Sequence, residues 1–237
     1  MLRIALLYPE LLGTYGDAGN ARVLAERARR RGIEASSVVV SMSQALPAAQ
    51  IYLLGGGEDG PQRQARELLA VGGLGARVAD GAAVLAVCAG LQILGDSFSV
   101  EGDDAFDGLG MVDVATRRGE RRSVGEMAVD VGGRTLVGFE NHGGTTSLGV
   151  DVVPLGRVLV GRGNDGFTDG FYAPRLWGTY AHGPVLALNP WFADQILAEV
   201  LGQALEPLAS VADQLYAERV AAISPSRGAR PSGSGRR

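Results

Sequence analysis

The chain has 237 residues, 46% of them hydrophobic, and a formal charge of −4, with arginine supplying all 22 cations. That suits one α/β domain with an extension, and the lack of a basic block argues against a nucleic-acid partner. One cysteine excludes an internal disulfide and, with two histidines, fits a structural zinc site poorly. No stretch has signal-peptide form and no apolar run reaches membrane-spanning length, so the expected location is cytoplasmic, without membrane insertion.

Residues 2–7 are an apolar run, the usual first strand of a parallel sheet. Residues 8–20, YPELLGTYGDAGN, read as a loop through their glycines and proline. Asn20 can cap a helix over 21–31 that Gly32 ends. Residues 35–40 read as a second strand and 51–54 as a third, which runs straight into Gly55, Gly56 and Gly57. Three glycines there let backbone N–H groups approach a ligand, or simply turn the chain into a helix over 61–69.

Residues 83–87 are wholly apolar, as a strand buried on both faces requires. Cys88 follows at once, then the small residues Ala89 and Gly90, then a helix from Leu91. Strand, sharp turn, nucleophile and helix make the pattern of a nucleophile elbow. A helix N-terminus behind the sulfur favours thiolate over thiol, and the Ala89 N–H is placed to meet an oxyanion. A lone cysteine is also commonly an inert core residue. The alternation of strands and helices up to Leu94 predicts a mainly parallel sheet, whose ligands bind beyond the carboxyl ends of its strands. The glycine triplet and Cys88 both lie at such ends, which favours a catalytic Cys88.

Beyond Glu101 the texture changes. Residues 111–114 read as a short strand and 117–122, RRGERR, as a charged, solvated loop. Residues 127–131 and 135–139 flank Gly132-Gly133-Arg134 as a hairpin, followed by a glycine-rich loop, ENHGG, over 140–144. Strands over 158–160 and 176–180 come next, the second running into Ala181-His182-Gly183-Pro184. Helices over 191–202 and 212–222 follow. The expected organisation is a domain over 1–207, a helical extension over 208–223 and a disordered tail over 224–237, whose sequence has nothing to pack. A thiol nucleophile needs a base. His182, at the carboxyl end of a strand, is favoured over His142, which either lines the site or is held by its own backbone contacts.

VCAGLQILG, the glycine triplet and GTYAHGP together resemble the class I glutamine amidotransferases. GDAGN and GFENHGG resemble the cobyric-acid-synthase-type branch, and within it the GatD family of lipid II isoglutaminyl synthase subunits. The resemblance runs to about Pro207. It implies a three-layer α/β fold, with a mainly parallel sheet flanked by helices and an antiparallel hairpin. It implies that Cys88 attacks the side-chain amide of glutamine, that a γ-glutamyl thioester and ammonia form, and that water then releases glutamate. His182 would carry the proton, and the N–H groups of Gly56 and Ala89 would form the oxyanion hole. Arg122 would bind the α-carboxylate, a pairing that can be bidentate, with the adjacent Arg121 as the other choice. Gln92, Asn141 and His142 are further lining residues. The resemblance also implies a heterodimer with a MurT-like, Mur-ligase-type partner. That partner would hold ATP and magnesium and amidate D-glutamate of the peptidoglycan stem peptide, leaving this chain without a cofactor. The alternatives are a glutaminase subunit of another amide ligase, a self-contained thiol hydrolase, and a non-catalytic binding module.

Class I amidotransferases usually place a glutamate two residues after the histidine. Here that position is Pro184. Asp17 and Glu140 could reach His182 only through the fold, with Glu140 the better internal choice, and the expectation is that the partner supplies the carboxylate.

Overall fold

The apolar runs become the strands of a central sheet in the computed structural model, which describes residues 1–99 and 104–223. The first half comprises β1 (Leu2–Leu7), α1 (Pro9–Leu12), α2 (Gly19–Arg29), β2 (Ala35–Val40), β3 (Ile51–Leu54), α3 (Asp59–Val71), α4 (Leu74–Ala79), β4 (Ala83–Val87) and α5 (Ala89–Leu94). Next come β5 (Ser97–Ser99), β6 (Ala105–Asp107), β7 (Val114–Val131), β8 (Arg134–Leu148), β9 (Gly156–Val160) and β10 (Thr168–Asp169). The chain then forms β11 (Phe171–Ala173), β12 (Leu176–Thr179), α6 (Val185–Leu188), α7 (Pro190–Leu201) and α8 (Val211–Ile223). No helix among the described residues is long and apolar enough to cross a membrane.

The central sheet has the order β11-β12-β4-β3-β1-β2 and is parallel except for β11 at its edge. Every residue of β3 and β4 is buried, which is why these strands read as unbroken apolar runs. The edge strand β2 instead alternates, with Ser36 and Val38 half-buried and Ser37 and Val39 exposed. The carboxyl ends of β1, β3, β4 and β12 therefore open on one edge of the molecule.

A second, mostly antiparallel sheet has the order β10-β9-β7-β5-β6, with β8 paired on β7. It corrects the sequence reading in two places. Residues 117–122 belong to β7 and 140–144 to β8, so neither is a loop. The centre of β7 is exposed or half-buried along its length, and its register on β8 shifts between Arg118 and Ser123. A strand wet on both faces carries no apolar alternation to read, and an irregular register blurs what remains. The tail over 224–237 lies outside the described residues.

Buried polar side chains join the layers. Asn20 does not cap α2 but lies within it, and its Oδ1 accepts from the Leu186 N–H at 2.9 Å. Arg27 of α2 and Arg31, just past its end, both bind Asp194 of α7, Arg27 through two hydrogen bonds of 2.6 Å. Asn189, before α7, behaves as a piece of backbone. Its Oδ1 accepts from the Val137 N–H, and its Nδ2 donates to the carbonyls of Val137 and Val185. It thereby ties β8 to α6 with no exposed surface. Asn189→Ala should leave that N–H and the Val137 carbonyl short of these partners, while the Val185 carbonyl keeps the backbone N–H of residue 189, at about 1–3 kcal/mol for each buried group stranded. The expected outcome is a melting temperature lower by roughly 5–10 °C. An unchanged melting curve would show that this clamp holds nothing.

Candidate active site

The turn from β4 into α5 is strained at one residue. Cys88 has φ 51° and ψ −106°, a conformation that side chains other than glycine rarely adopt. Such a residue costs of order 1–3 kcal/mol and persists only where its surroundings impose it. Here the Cys88 N–H donates to the Thr179 carbonyl of β12, and its carbonyl accepts from the Gln92 N–H of α5. Gly90 permits the close approach, because a Cβ there would sit 2.6 Å from the Leu54 Cβ. The local sequence thus builds an elbow that holds the thiol at the carboxyl edge of the sheet.

Burial, however, overrides the helix N-terminus. Desolvation pushes the Cys88 thiol from its ordinary 9.0 up to about 12, and the Asp17 carboxylate adds to the rise. The Ala89 N–H and the Arg122 guanidinium pull the other way without offsetting it. The expected acidic thiol is therefore corrected. The six residues of α5 supply too little dipole to compensate for removing the sulfur from water. The free chain holds a neutral thiol that needs a base.

His182 follows β12 and has no exposed surface. Its backbone pairs with Phe139 of β8 in both directions, with N···O distances of 2.8 and 3.2 Å. Its Nδ1 lies 3.1 Å from Asp17 Oδ2, and the same oxygen accepts from the Gly56 N–H at 3.0 Å. A carboxylate oxygen facing Nδ1 fixes the tautomer with Nδ1 as donor, leaving Nε2 as the basic nitrogen. Nε2 is buried and has no hydrogen-bond partner among the described residues, so thiol and imidazole are not yet hydrogen-bonded in this state. Such contacts often tighten only around a substrate. The imidazole packs between Tyr15, at 4.6 Å between ring centroids, and Phe139, at 5.4 Å.

Asp17 thus fills the place that Pro184 leaves open. Glu140, the internal candidate preferred from the sequence, points elsewhere. Its Oε2 lies 3.2 Å from His142 Nε2 and accepts from the Gly163 N–H, while its Oε1 accepts from the Arg162 N–H. Burial alone pushes the Glu140 carboxyl up, but the hydrogen bonds from His142, Gly163 and Arg162 outweigh it and hold the group below its usual value. His142 is also bound through Nδ1 to the Gly144 carbonyl and stacks on Tyr180 at 3.9 Å. Both of its ring nitrogens are engaged, so it is no free base. It lines the cavity and is held in place at once.

A cavity of about 440 Å³ opens over the sulfur, lined by Cys88, Ala89, Gln92, Arg122, Asn141 and His142, among others. Of the eight residues singled out from the sequence, only Gly56 and His182 lie behind this wall. The Gly56 N–H, expected at an oxyanion, is committed to Asp17 instead, and a Cβ at Gly56 would sit 2.6 Å from His182 Cε1. The neighbouring Gly57 does line the cavity. Gln92 is held on both sides, accepting from Gln62 Nε2 at 2.8 Å and donating to the Tyr180 hydroxyl at 3.1 Å. Arg122 donates through Nε to Asn141 Oδ1 at 2.6 Å and through Nη2 to the Tyr15 hydroxyl at 3.1 Å. Arg121 lines the cavity too, but no such bonds orient it. Sequence reasoning missed Tyr15 and Glu58 altogether. The one available signal for Tyr15 is its place beside Asp17 in the loop after β1.

The thiol's state is directly measurable. Alkylation of Cys88 by iodoacetamide in the free chain should quicken about tenfold per pH unit from pH 8 to 10, following the thiolate fraction. A rate that levels off below pH 9 would mean that the thiol is not held neutral by burial.

Comparison with known proteins shows the family of the chain. Residues 3–190 match the CobB/CobQ-like glutamine amidotransferase domain. The GatD subunit of lipid II isoglutaminyl synthase (glutamine-hydrolyzing) from Staphylococcus aureus strain N315 is 34% identical over 78% of this chain and 79% of its own length. The GatD subunit from Streptococcus pneumoniae is 31% identical over 84% of this chain and 80% of its own. A cobyric acid synthase from Pelotomaculum thermopropionicum is 37% identical over 44% of this chain, but only 23% of that enzyme is matched. Among solved structures, PurLQS from Thermotoga maritima superposes with a TM-score of 0.57 at 17% identity, covering 85% of this chain and 98% of that one, which bears on the fold alone. The match spans both the strained cysteine and the buried histidine, and the chain belongs to the CobB/CobQ-like glutamine amidotransferase family.

Proposed function

We propose that this chain is the glutaminase subunit of a lipid II isoglutaminyl synthase. Likeness to two GatD subunits over about four-fifths of each chain supports the choice within the family. The observation that carries the chemistry is the strained, buried Cys88 on the same sheet edge as an imidazole whose Nε2 is bare and whose Nδ1 faces a carboxylate.

In the proposed reaction the Cys88 proton passes to His182 Nε2 as sulfur attacks the side-chain amide carbon of glutamine. The oxyanion that forms meets the Ala89 N–H and, since Gly56 is committed to Asp17, the N–H of Gly57. His182 returns the proton to the departing nitrogen, the C–N bond breaks, and ammonia leaves behind a γ-glutamyl thioester. Water, losing its proton to Nε2, then cleaves the thioester and frees glutamate. Asp17 orients the ring and stabilises the imidazolium that forms at each stage. The guanidinium of Arg122 is the proposed partner of the α-carboxylate. Its bonds to Asn141 and Tyr15 pre-orient it, which favours it over the unanchored Arg121. A MurT-like, Mur-ligase-type subunit would receive the ammonia and use ATP and magnesium to amidate D-glutamate of the stem peptide.

Two experiments test the reading. Cys88→Ser should abolish glutamine-dependent amidation of lipid II by the chain and its ligase partner, while ammonium salts still support it. Amidation from glutamine at the wild-type rate would sink the reading. Asp17→Asn should lower the kcat for glutamine hydrolysis on the order of 10²- to 10⁴-fold with little change in KM, because the amide cannot fix the tautomer or balance the imidazolium. An unaffected kcat would place the needed carboxylate on the partner instead.

A further inference from the structure

An α-amino acid presents two charges on one carbon, and the glutaminase reading so far accounts only for the carboxylate. The Tyr15 hydroxyl accepts from Arg122 Nη2 at 3.1 Å and faces Glu58 Oε1 at 3.4 Å, as donor to it. One phenol oxygen therefore sits between a cation and an anion. Both flanking residues line the cavity that opens over Cys88. The long contact to Tyr15 is the Glu58 carboxylate's one hydrogen bond among the described residues, so it has acceptor capacity to spare. The two charges also act on the nucleophile, Glu58 pushing the Cys88 thiol up and Arg122 pulling it down, which places both within electrostatic reach of the sulfur.

We propose that Glu58 binds the α-ammonium of the substrate, making Glu58, Tyr15 and Arg122 a cradle for the zwitterionic head of an amino acid. The inference rests on the glutaminase reading and extends it to what selects the substrate. The partners of an ammonium and a carboxylate on one carbon must be neighbours, and Tyr15 is what makes them so. Glu120 lines the same cavity but shares no hydrogen bond with Tyr15 or Arg122. The cradle admits a free amino acid and rejects a glutamine residue within a peptide, whose nitrogen is neutral. An ammonium seated on Glu58 would also offset the lesser of the two negative charges, after that of Asp17, that oppose thiolate formation at Cys88.

The test compares L-glutamine with glutaramate, the same side-chain amide without the α-amino group, in the wild type, Glu58→Gln and Glu120→Gln. Wild type should prefer L-glutamine. Glu58→Gln should lower kcat/KM for L-glutamine on the order of tenfold or more, mainly through KM, and should not lower it for glutaramate, for which loss of a negative charge near Cys88 acts only in favour, so the preference collapses. Glu58→Asp should restore part of it, Glu120→Gln should keep it whole, and all variants should melt with the wild type. Equal losses on both substrates in Glu58→Gln, or an intact preference, would overturn the assignment while leaving the glutaminase reading standing. A wild type that leaves L-glutamine intact even with its ligase partner would overturn both.

Discussion

The carboxylate of Asp17 is the point on which the site's geometry depends. One oxygen accepts from the Gly56 backbone and from the His182 ring, so three loops that follow β1, β3 and β12 are fixed to one another by two hydrogen bonds. These loops leave parallel strands of one sheet, with β4 between β12 and β3, and nothing in the sheet ladder alone sets their spacing beyond its edge. A buried carboxylate with two donors is costly to place and costly to disturb, because removing either donor strands charge out of water. Its other oxygen has no partner among the described residues, which leaves room for the ring's growing positive charge to draw on the whole carboxylate. The steric limit at Gly56 reinforces the arrangement: the backbone can donate to Asp17 only because no Cβ stands between it and the imidazole.

Burial of the thiol has the opposite sense. A buried, neutral sulfur is a poor nucleophile until a base takes its proton. A thiol that ionises only when a substrate and a base are in place also resists oxidation and adventitious alkylation. The same logic governs His142, which could have been a second base. With both ring nitrogens tied and its face on Tyr180, it stiffens the wall and, through Tyr180, the amide of Gln92.

How much of this was legible in the sequence divides along physical lines. Strands buried on both faces announce themselves, so β1, β3 and β4 and the elbow after β4 could be placed within a residue or two. The turn of the long hairpin at Gly132-Gly133 was placed as well, but its reach back to Val114 and on to Leu148 was not, because the arginines and glycines of β7 serve a cavity mouth and an open face rather than a core. Local chemistry was legible, and distant pairing was not. Asp17 lies 165 positions from His182 in the chain, and no periodicity connects them, whereas Glu140 stands two residues from a histidine that it does bind. The sequence reading preferred Glu140 as the internal partner of His182, and the fold gives it to His142 instead. The expectation that a thiol at a helix N-terminus is acidic failed for a related reason: the dipole can be read from the sequence, but the desolvation that outweighs it cannot.

The two sheets divide the work. The parallel sheet supplies what the proposed reaction needs at fixed positions, the thiol, the imidazole and its carboxylate, from loops anchored on buried strands. The antiparallel sheet supplies Arg122, Asn141 and His142 from one hairpin laid across the opening, with His182 pinned to that hairpin through Phe139. Tyr15 bridges the two, its ring tilted at 55° against the imidazole and its hydroxyl holding Arg122. Tyr15 thus touches both the imidazole and the guanidinium proposed to bind the α-carboxylate. Substitutions along the exposed centre of β7 cost the fold little, because few of its side chains pack. The elbow has no such freedom, since Cys88 keeps its strained backbone only while β3 and β12 stay packed against it.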